Sequence, residues 1–393
     1  MNPVSQRIPA VRLLLSALVI TAFGLAIYRF ARGLGASTNL DDTFPWGLWI
    51  AFDMLCGVAL AAGGFVLAGT VYLFGLKKFA PFVRPAIVTA LLGYLLAIIG
   101  LVMDLGRPWA IWHPLVTWQP HSVMFEVAWC VVLYTTVLFL EFLPIVFERF
   151  HMHRALKFIG HFTIVFIIAG IILSTMHQSS LGTLFVMMEH RMHALWFTPM
   201  LPLLFFVTAV AVGVAMVIFE AIMSGLIFGH RYPVQLLGDL AKALPPLLGL
   251  YIGLKLMDLN ARGALALLFD GSFEGWAFAI ELFLGALVPG TLLLSPKVRD
   301  DRLKLFACSL MVIVGVVLNR LNVCLVAMLA TSPDGYLPSW IEILVSAGII
   351  SGGLLVLSLM NHTLPIVTLP PTASESQPPR VAGTASLPAT GGP

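Results

Sequence analysis

Charged residues are scarce in this chain of 393 residues. Asp, Glu, Lys and Arg make up 10% of it and apolar residues 59%, whereas a soluble domain carries about 25% charged residues. The scarcity excludes a soluble domain and predicts a polytopic membrane protein. Basic residues form no stripe and do not alternate with aromatic residues, so nucleic acid is not an expected partner.

Cysteine is also scarce, and its spacing is not that of a metal site. The four cysteines lie inside apolar runs, and no two of them form a CxxC pair: Cys56, Cys130, Cys308 and Cys324. Iron–sulfur clusters are held by grouped thiolates, so we expect no iron–sulfur cluster and no other metal in this chain. Buried, unpaired cysteine acts as a small hydrophobic residue.

Ten apolar runs are long enough to cross a bilayer, which takes about 20 residues per helix. They are Val11–Phe30, Trp46–Phe74, Pro85–Leu105, Val123–Phe147, Leu156–Met176, Pro199–Phe228, Ala243–Leu259, Gly275–Leu294, Leu305–Ala330 and Trp340–Met360. The sequence therefore predicts an all-α bundle of about ten transmembrane helices within residues 1–369. Residues 370–393 are rich in Pro, Ser, Gly and Ala, which predicts a disordered tail.

The basic residues are divided unequally between the two ends of the predicted helices. Fifteen fall on the side of the N-terminus: Arg7, Arg12, Lys77, Lys78, Arg84, Arg149, Arg154, Lys157, Arg231, Lys242, Lys297, Arg299, Arg302, Lys304 and Arg380. Five fall on the other side: Arg29, Arg32, Arg107, Arg191 and Arg262. Because loops rich in Lys and Arg stay inside, both termini are predicted to be cytoplasmic.

Ionisable residues at membrane depth are costly and mark functional sites by default. In this orientation twelve polar residues fall in the outer half: Asp53, Asp104, Arg107, Glu126, His177, Lys255, Asp258, Glu281, Asn319, Arg320, Asn322 and Glu342. We predict that they converge on one polar pocket near the outer interface. Lys255 and Asp258 are also spaced for a local ion pair.

The inner half holds fewer polar residues: Arg84, Glu141, His161 and Glu220. Tyr94 lies halfway along the third run, and Glu126 and Glu141 share one face of the fourth, about 22 Å apart in depth. A sparse polar trail below an outer pocket predicts a proton path through Arg84, Tyr94, Glu126, Glu141 and Glu220.

His177 stands in the segment "STMHQSSLG", which the run boundaries place at the outer end of the fifth helix, level with Asp104 and Glu126. Together with Gln178 it suits hydrogen bonding to a carbonyl or phenol oxygen, and an unperturbed histidine titrates near neutrality. These side chains match the hydrogen-bonding needs of a quinone head group. Asp104 and Arg107 are predicted to form the floor or rim of its pocket. The alternative, a histidine satisfied inside the bundle, stays open.

A b-type haem would need histidines on facing helices at matched depth. Eight of the ten histidines lie in loops or at helix ends, and His161 and His177 fall on one helix, sixteen residues apart. We therefore expect no haem.

Several segments together resemble one membrane-protein family. They are "FPWGLWIAFDMLCGVALAAGG", "FVRPAIVTALLGYLL", "MDLGRPW", "HSVMFE", "STMHQSSLGTL", "VIFE", "NRLNV" and "LPSWIEILVSAG", in order from about Phe44 to Leu359. The sequence resembles the NrfD/polysulfide-reductase membrane subunits, and within them the HybB-type subunits of uptake nickel–iron hydrogenases.

The resemblance implies a haem-free, ten-helix subunit of the bacterial inner membrane without a catalytic centre of its own. It would exchange electrons with a periplasmic iron–sulfur, ferredoxin-like subunit and with menaquinone or ubiquinone, beside the hydrogenase large and small subunits and membrane lipid. The quinone-binding residues expected are Asp53, Asp104, Arg107, Glu126, His177 and Gln178.

Two other functions remain open. A secondary transporter or proton channel also carries charges at membrane depth, but transporters favour unwound helices near the midplane and inverted repeats, and no repeat is visible. A passive membrane anchor for partner subunits would need only the outer loops. Substitutions inside the bundle should be silent in such an anchor.

Overall fold

The computed structural model describes residues 3–41, 44, 46–329, 332 and 335–367, with side chains from residue 10 onward. The predicted tail at residues 370–393, with Arg380, lies outside these residues. In the described part the chain forms helices and no strand. Ten spans are long and apolar enough to cross a membrane, which confirms the all-α fold class: α1 Ala10–Arg32, α2 Trp49–Leu73, α3 Lys77–Asp104, α4 Val123–Arg149, α5 Thr163–Val186, α6 Leu201–Ile227, α7 Val234–Ala261, α8 Phe273–Leu292, α9 Arg302–Leu329 and α10 Trp340–Thr363.

Short helices lie between the spans, and some spans consist of two or more helical segments. Between spans are Leu34–Ala36, Pro108–Ala110, His113–Val116, His153–Gly160, Glu189–Arg191, Ala264–Leu268 and Pro296–Arg299. The α7 span consists of Val234–Ala241 and Leu244–Ala261, and α3 begins with a 3₁₀ segment, Lys77–Phe82.

The fifth span is displaced from its predicted position. Residues His153–Gly160 form a separate short helix, and α5 then continues through the HQSSLGTLFV segment to Val186. His177 therefore lies well inside α5, about 13 Å along the axis from its end at Val186. The prediction that His177 lies at the outer end of its helix was wrong.

The helices pack as two groups of four, α2–α5 and α6–α9, which meet where α6 packs on α2 and α5. Helices α1 and α10 pack on each other, and α10 also packs on α3. The crossing of α2 and α6 depends on glycine, because a Cβ on Gly213 would lie 2.9 Å from the carbonyl carbon of Ala62.

Contacts between helix ends define two faces of the bundle. On the terminal face the start of α1 meets the end of α10, with Arg12 bonded to His362, and the Arg84 guanidinium donates to the Pro365 carbonyl. On the opposite loop face, Arg29 at the end of α1 donates to the Met103 carbonyl at the end of α3. The terminal face is the basic one; its cytoplasmic placement stays a prediction.

Four π-helical segments interrupt the spans: Trp49–Met54, Gly69–Leu73, Phe283–Leu287 and Asn322–Val326. Two of them contain a buried polar residue, Asp53 and Asn322, and a third begins two residues after Glu281. Because π-bulges often occur at functional sites, these segments indicate that the polar interior of the bundle is a candidate functional region.

Candidate functional site

The twelve polar residues predicted to meet in one outer pocket do not do so. They lie in separate clusters within the two four-helix groups and at the α1–α3–α10 corner, and most of those described have partners inside their own cluster. The single-pocket prediction was therefore wrong. Sequence depth had placed these residues at similar levels but could not tell which helices face each other.

The first cluster is a buried pair formed by Tyr94 of α3 and His177 of α5, called the Tyr–His pair below. The Tyr94 hydroxyl lies 2.8 Å from Nδ1 of His177. The His177 side chain is fully buried, and its Nε2 has no hydrogen-bond partner among the described residues. One imidazole nitrogen is thus held by a phenol, while the other is free to bond a water or a ligand.

The pair is part of a polar column along one face of α4. Tyr134 packs edge-on against Tyr94, with 4.7 Å between ring centroids, and Ser174 lies beside both phenol groups. Glu126 and Glu141 lie eight residues before and seven after Tyr134, so an α-helix places all three on one side. The predicted shared face of Glu126 and Glu141 is this one.

Gln178, the neighbour of His177, points elsewhere. Its Nε2 donates to the Val58 carbonyl of α2, 3.0 Å away, and its Oε1 is buried without a partner among the described residues. The amide therefore ties α5 to α2 at the level of the Tyr–His pair. Whether it contacts a quinone stays a prediction.

The second four-helix group holds its own buried cluster, the Glu281 network. The two carboxylate oxygens of Glu281 accept four hydrogen bonds, from Tyr251 (3.1 Å), Asn319 (2.7 Å), Trp196 (3.0 Å) and Asn322 (2.8 Å). Every lone-pair direction on the carboxylate is used. Such a saturated carboxylate suits a structural role.

Arg320 extends the Glu281 network to α6. Its guanidinium donates to the Asn319 side-chain oxygen at 2.6 Å and to the Thr208 hydroxyl at 2.9 Å, and it stacks 3.6 Å from the centroid of the Phe205 ring. Arg320 is 1% exposed, so these contacts replace its hydration.

The predicted Lys255–Asp258 ion pair does not form. Asp258 pairs with Arg262 one turn further along α7, at 2.6 Å, and accepts from the Thr198 hydroxyl at 2.7 Å. Lys255 lies buried with its ammonium 5.2 Å from the Phe278 ring centroid. The longer Arg262 side chain reaches the carboxylate from the helix end, where it stays partly solvated.

Asp104 lies in a third cluster, at the corner of α1, α3 and α10. Arg29 of α1 donates to the carbonyls on both sides of Asp104, Met103 at 2.7 Å and Leu105 at 2.5 Å. The Asp104 Oδ1 is buried without a partner among the described residues. The helix ends at Asp104, and Arg107 lies exposed in the loop that follows. The two side chains are therefore separated.

Glu342 anchors the same corner to the loop face. It closes a capping box with Ser339 at the start of α10 and accepts from the Tyr336 hydroxyl. Burial and the neighbouring Glu342 carboxylate raise the pKa of Tyr336 well above its usual range. Tyr336 therefore remains a donor that holds the α9–α10 loop.

Asp53 lies about one helical turn from the Asp104–Glu342 corner, next to Gly100 of α3. It accepts from the Ser346 hydroxyl of α10 at 2.5 Å, and it lines a cavity that faces α10 and not the α2–α5 interior. The π-helical turn at Trp49–Met54 contains it.

A cavity of about 490 Å³ opens near the loop face between α2, α3, α4 and α5, and we call it the loop-face cavity. Its volume is within the range of about 300–1,000 Å³ typical of small-molecule sites. The walls are apolar, including Met54, Val131 and Leu184, and polar groups such as Arg107 and His113 lie toward the loop. Of the six predicted quinone-binding residues, Arg107 alone lines it.

The floor of the loop-face cavity approaches the Tyr–His pair. Val131 in its lining is one turn, about 4.5 Å along α4, from Tyr134, and Leu101 and Leu184 are each two turns, about 10 Å, from Tyr94 and His177. An apolar chamber thus ends above a phenol–imidazole pair. The cavity can hold a flat apolar ring, and the Tyr–His pair lies below it without being part of its lining.

The predicted proton-path residues divide between two routes. Tyr94 and Glu141 belong to the α4 column, and Arg84 pairs with Glu148 of α4 at 2.7 Å on the terminal face. Glu220 of α6 instead lies beside Thr89, which is turned about 140° around α3 from Tyr94. Glu220 is therefore on the other side of α3, facing α10.

Sequence reasoning missed several members of these clusters: Arg29, Tyr134, Trp196, Thr208, Tyr251, Tyr336 and Ser346. Tyr134 alone had a usable signal, since it shares the α4 face of Glu126 and Glu141. The others are tyrosine, tryptophan, hydroxyl and arginine side chains whose partners come from distant segments.

A family model described as polysulphide reductase, NrfD matches residues 36–331. The probable Ni/Fe-hydrogenase 2 b-type cytochrome subunit of Escherichia coli is 35% identical over 359 residues, 90% of this chain and 91% of the relative. The menaquinone reductase integral membrane subunit of Nitratidesulfovibrio vulgaris is 29% identical over 384 residues, 89% and 90% of the two chains. The Hdr-like menaquinol oxidoreductase integral membrane subunit of Archaeoglobus fulgidus is 20% identical over 291 residues, 72% and 70% of the two chains.

The name of the Escherichia coli relative mentions a b-type cytochrome, and the described residues of this chain do not fit a haem held by two histidines. His177 is the one buried histidine among the described side chains. His161 is exposed near the start of the same span, with Nδ1 bonded to the Lys157 carbonyl. A second buried axial histidine is missing from this part of the chain.

We therefore predict that the purified chain contains no stoichiometric haem. The pyridine haemochrome spectrum of the isolated subunit should show less than about 0.1 haem b per chain, because axial ligation of a b-type haem needs protein ligands at the iron. About one haem b per chain, lost on replacing His177, would contradict the prediction.

The NrfD match covers well over half of the chain, and the Escherichia coli relative is aligned over nine tenths of it. The ten apolar spans are those of a multi-pass membrane protein. This chain belongs to the polysulphide reductase NrfD family.

Proposed function

We propose that this chain is the quinone-interacting membrane subunit of a respiratory redox complex of the bacterial inner membrane. It passes electrons between an iron–sulfur partner on the loop face and the quinone pool. The observation that carries the proposal is the loop-face cavity above the Tyr–His pair. Relatives named as a menaquinone reductase subunit and a hydrogenase subunit support it.

The loop-face cavity suits a quinone head group because its walls are apolar and its polar groups are few. Arg107, His113 and Gln119 lie around it and offer donors to a carbonyl oxygen. A lipid-soluble molecule binds in such a chamber by burial of its ring, while one or two hydrogen bonds set its orientation. The substrate is menaquinone or ubiquinone.

The Tyr–His pair would supply protons to the substrate oxygen on the inner side of the cavity. The imidazole can hold a proton on Nε2 while Nδ1 accepts from the Tyr94 hydroxyl. Ser174 and Tyr134 continue the polar column toward Glu141 and the terminal face. This path follows the prediction for Tyr94, Glu126 and Glu141 and leaves Glu220 outside.

The loop face would receive the electron-donating partner. Its exposed aromatic residues form a broad apolar rim: Trp109, Trp112, Trp118, Trp276 and Trp340. Exposed apolar area of this kind marks a membrane interface or a protein partner. An iron–sulfur, ferredoxin-like subunit together with hydrogenase large and small subunits is the assembly that we propose, with both termini of this chain cytoplasmic.

Filling the loop-face cavity should block quinone-linked activity. Val131 is 9% exposed and lines the cavity, so Val131→Trp places a ring where the head group would lie. We expect quinone-linked turnover of the assembled complex to fall at least about tenfold, whereas reduction of a soluble dye by the partner subunits is unchanged.

Val132→Trp is the matched control, because Val132 is 40% exposed on the lipid side of the same helix. It should retain the parental activity. Equal turnover in both variants, with the complex assembled, would place the substrate elsewhere. That silent outcome would also support the passive-anchor function. Loss of the dye reaction in Val131→Trp would mean that the complex no longer assembles, and it would contradict the expectation that this substitution acts on the quinone step alone.

A further inference from the structure

A second cavity system lies on the opposite side of α3 from the loop-face cavity. One cavity of about 330 Å³ extends from Asp53 to Glu220, and another of about 270 Å³ extends from Glu220 to Tyr232 near the terminal face. The two share Thr89, Met216, Glu220, Leu354 and Leu357 in their linings. They are adjacent cavities between α3, α6 and α10, and together they are called the α10 groove below.

The α10 groove has the length and character of a site for a hydrocarbon chain. Its α10 wall runs from Ile349 to Asn361, about 18 Å along the helix. Leu354 is 50% exposed although it lines both cavities, so the groove is accessible from the lipid side. A chain could enter sideways from the bilayer.

Polar groups sit at defined points of this apolar groove. Tyr232 is 2% exposed, lines the terminal-face cavity, and its hydroxyl has no hydrogen-bond partner among the described residues. Burial, with the nearby Glu220 carboxylate, raises the pKa of Tyr232 to about 12. The hydroxyl therefore keeps its proton and is available as a donor to a bound molecule.

The charge of the lining favours neutral head groups over anionic ones. The two linings contain the acids Asp53 and Glu220 and no Lys, Arg or His among the described residues. Arg84 and Arg302 lie outside the linings and donate to the backbone carbonyls of Pro365 and Tyr232. An anionic phospholipid head group between Glu220 and Tyr232 would therefore be desolvated beside a carboxylate, with no cation in the lining. A neutral head group with carbonyl oxygens would instead accept a hydrogen bond from Tyr232.

We infer that the α10 groove is a second binding site for a neutral, carbonyl-bearing molecule with a long hydrocarbon tail, of the isoprenoid-quinone class, whose head group lies between Glu220 and Tyr232. Its tail follows the groove toward Asp53. The site is separate from the loop-face cavity and lies nearer the terminal face. The inference rests on the proposed function for the class of ligand, and on the groove alone for its position.

A photoreactive azidoquinone with a decyl tail tests this site on the full complex in phosphatidylcholine nanodiscs. Mass spectrometry should find label on peptides containing residues 216–224 or 354–361, and excess unlabelled decylquinone should remove most of it. Label on residues 101–131 reports the loop-face cavity separately, so the two sites are tested independently. Absence of label in the groove, or its competition by phosphatidylglycerol and not by quinone, would overturn the inference.

Two variants sharpen this experiment. Leu354→Trp fills the groove, whereas Leu359→Trp makes the same change on the same helix at a residue that is 61% exposed and outside the groove. Labelling of the groove should fall at least about fivefold in the first variant and stay at the parental level in the second. Equal labelling in both would overturn the site.

Tyr232→Phe removes one hydroxyl and leaves the ring in place. The loss of a single hydrogen bond should weaken azidoquinone binding about fivefold, measured as the concentration that gives half-maximal groove labelling. An unchanged concentration would overturn the placement of the head group at Tyr232, even if Leu354→Trp were too unstable to purify.

Discussion

Replacing His177 by Phe is expected to lower quinone-linked turnover of the assembled complex by about 100-fold or more. A positioned acid–base group contributes about 10²–10⁴ to the rate of a proton-coupled step, and His177 offers the one buried imidazole among the described side chains. Turnover is measured with a short-chain menaquinone analogue, and the dye-linked reaction of the partner subunits serves as the assembly control.

Tyr94→Phe should give a smaller loss, about tenfold, because it keeps the imidazole and removes only the 2.8 Å bond to Nδ1. The pH dependence of quinone-linked turnover should change in both variants. A structural role alone would lower the amount of assembled complex and both reactions together, with no change in the pH profile. That result would remove the Tyr–His pair from the proton path.

Replacing Glu281 by Ala is expected to destabilise the chain severely. The change removes the carboxylate acceptor of four buried donors, those of Trp196, Tyr251, Asn319 and Asn322, and leaves the two amides only their 3.4 Å contacts. Each unsatisfied buried group costs about 1–3 kcal/mol. We expect the melting temperature in detergent to fall by more than about 10 °C, or the chain to fail to accumulate.

Glu189→Ala is the control, since Glu189 is exposed on the α5–α6 loop and its removal should shift the melting temperature by less than about 1 °C. A stable Glu281→Ala chain with normal expression but no quinone-linked activity would show that the Glu281 network serves the reaction instead of the fold.

The membrane fold was predictable because its signal is local. A spanning helix must satisfy its backbone internally and present apolar side chains over about 20 residues, and each run carries that information by itself. The exception is α5, where the apolar residues of His153–Gly160 extend the apparent run. A short helix lying beside a span can share the composition of the span.

The site was less predictable because its geometry depends on which helix faces which. Asp53, Asp104 and His177 were correctly recognised as polar residues inside the bundle. Hydropathy does not show, however, which sides of two helices face each other. Asp53 faces Ser346 of α10, almost 300 residues along the chain. His177 lies deeper than predicted because its helix begins later.

Some residues that the sequence predicted for the pocket are instead hydrogen-bonded within separate buried clusters. Glu281 accepts hydrogen bonds from Asn322 and Trp196, and Asp258 pairs with Arg262. Satisfied polar groups of this kind stabilise helix packing in lipid. The smaller set left with unpartnered atoms, His177 foremost, is the better guide to function.

We place the substrate head group in the loop-face cavity above the Tyr–His pair. A cryo-EM map of the complex, saturated with a short-chain menaquinone analogue, tests this placement most directly. We expect density for a ring bordered by Arg107, Val131 and Leu184, with one oxygen directed toward His177. Ring density confined to another part of the bundle, with the loop-face cavity empty under saturating analogue, would contradict it.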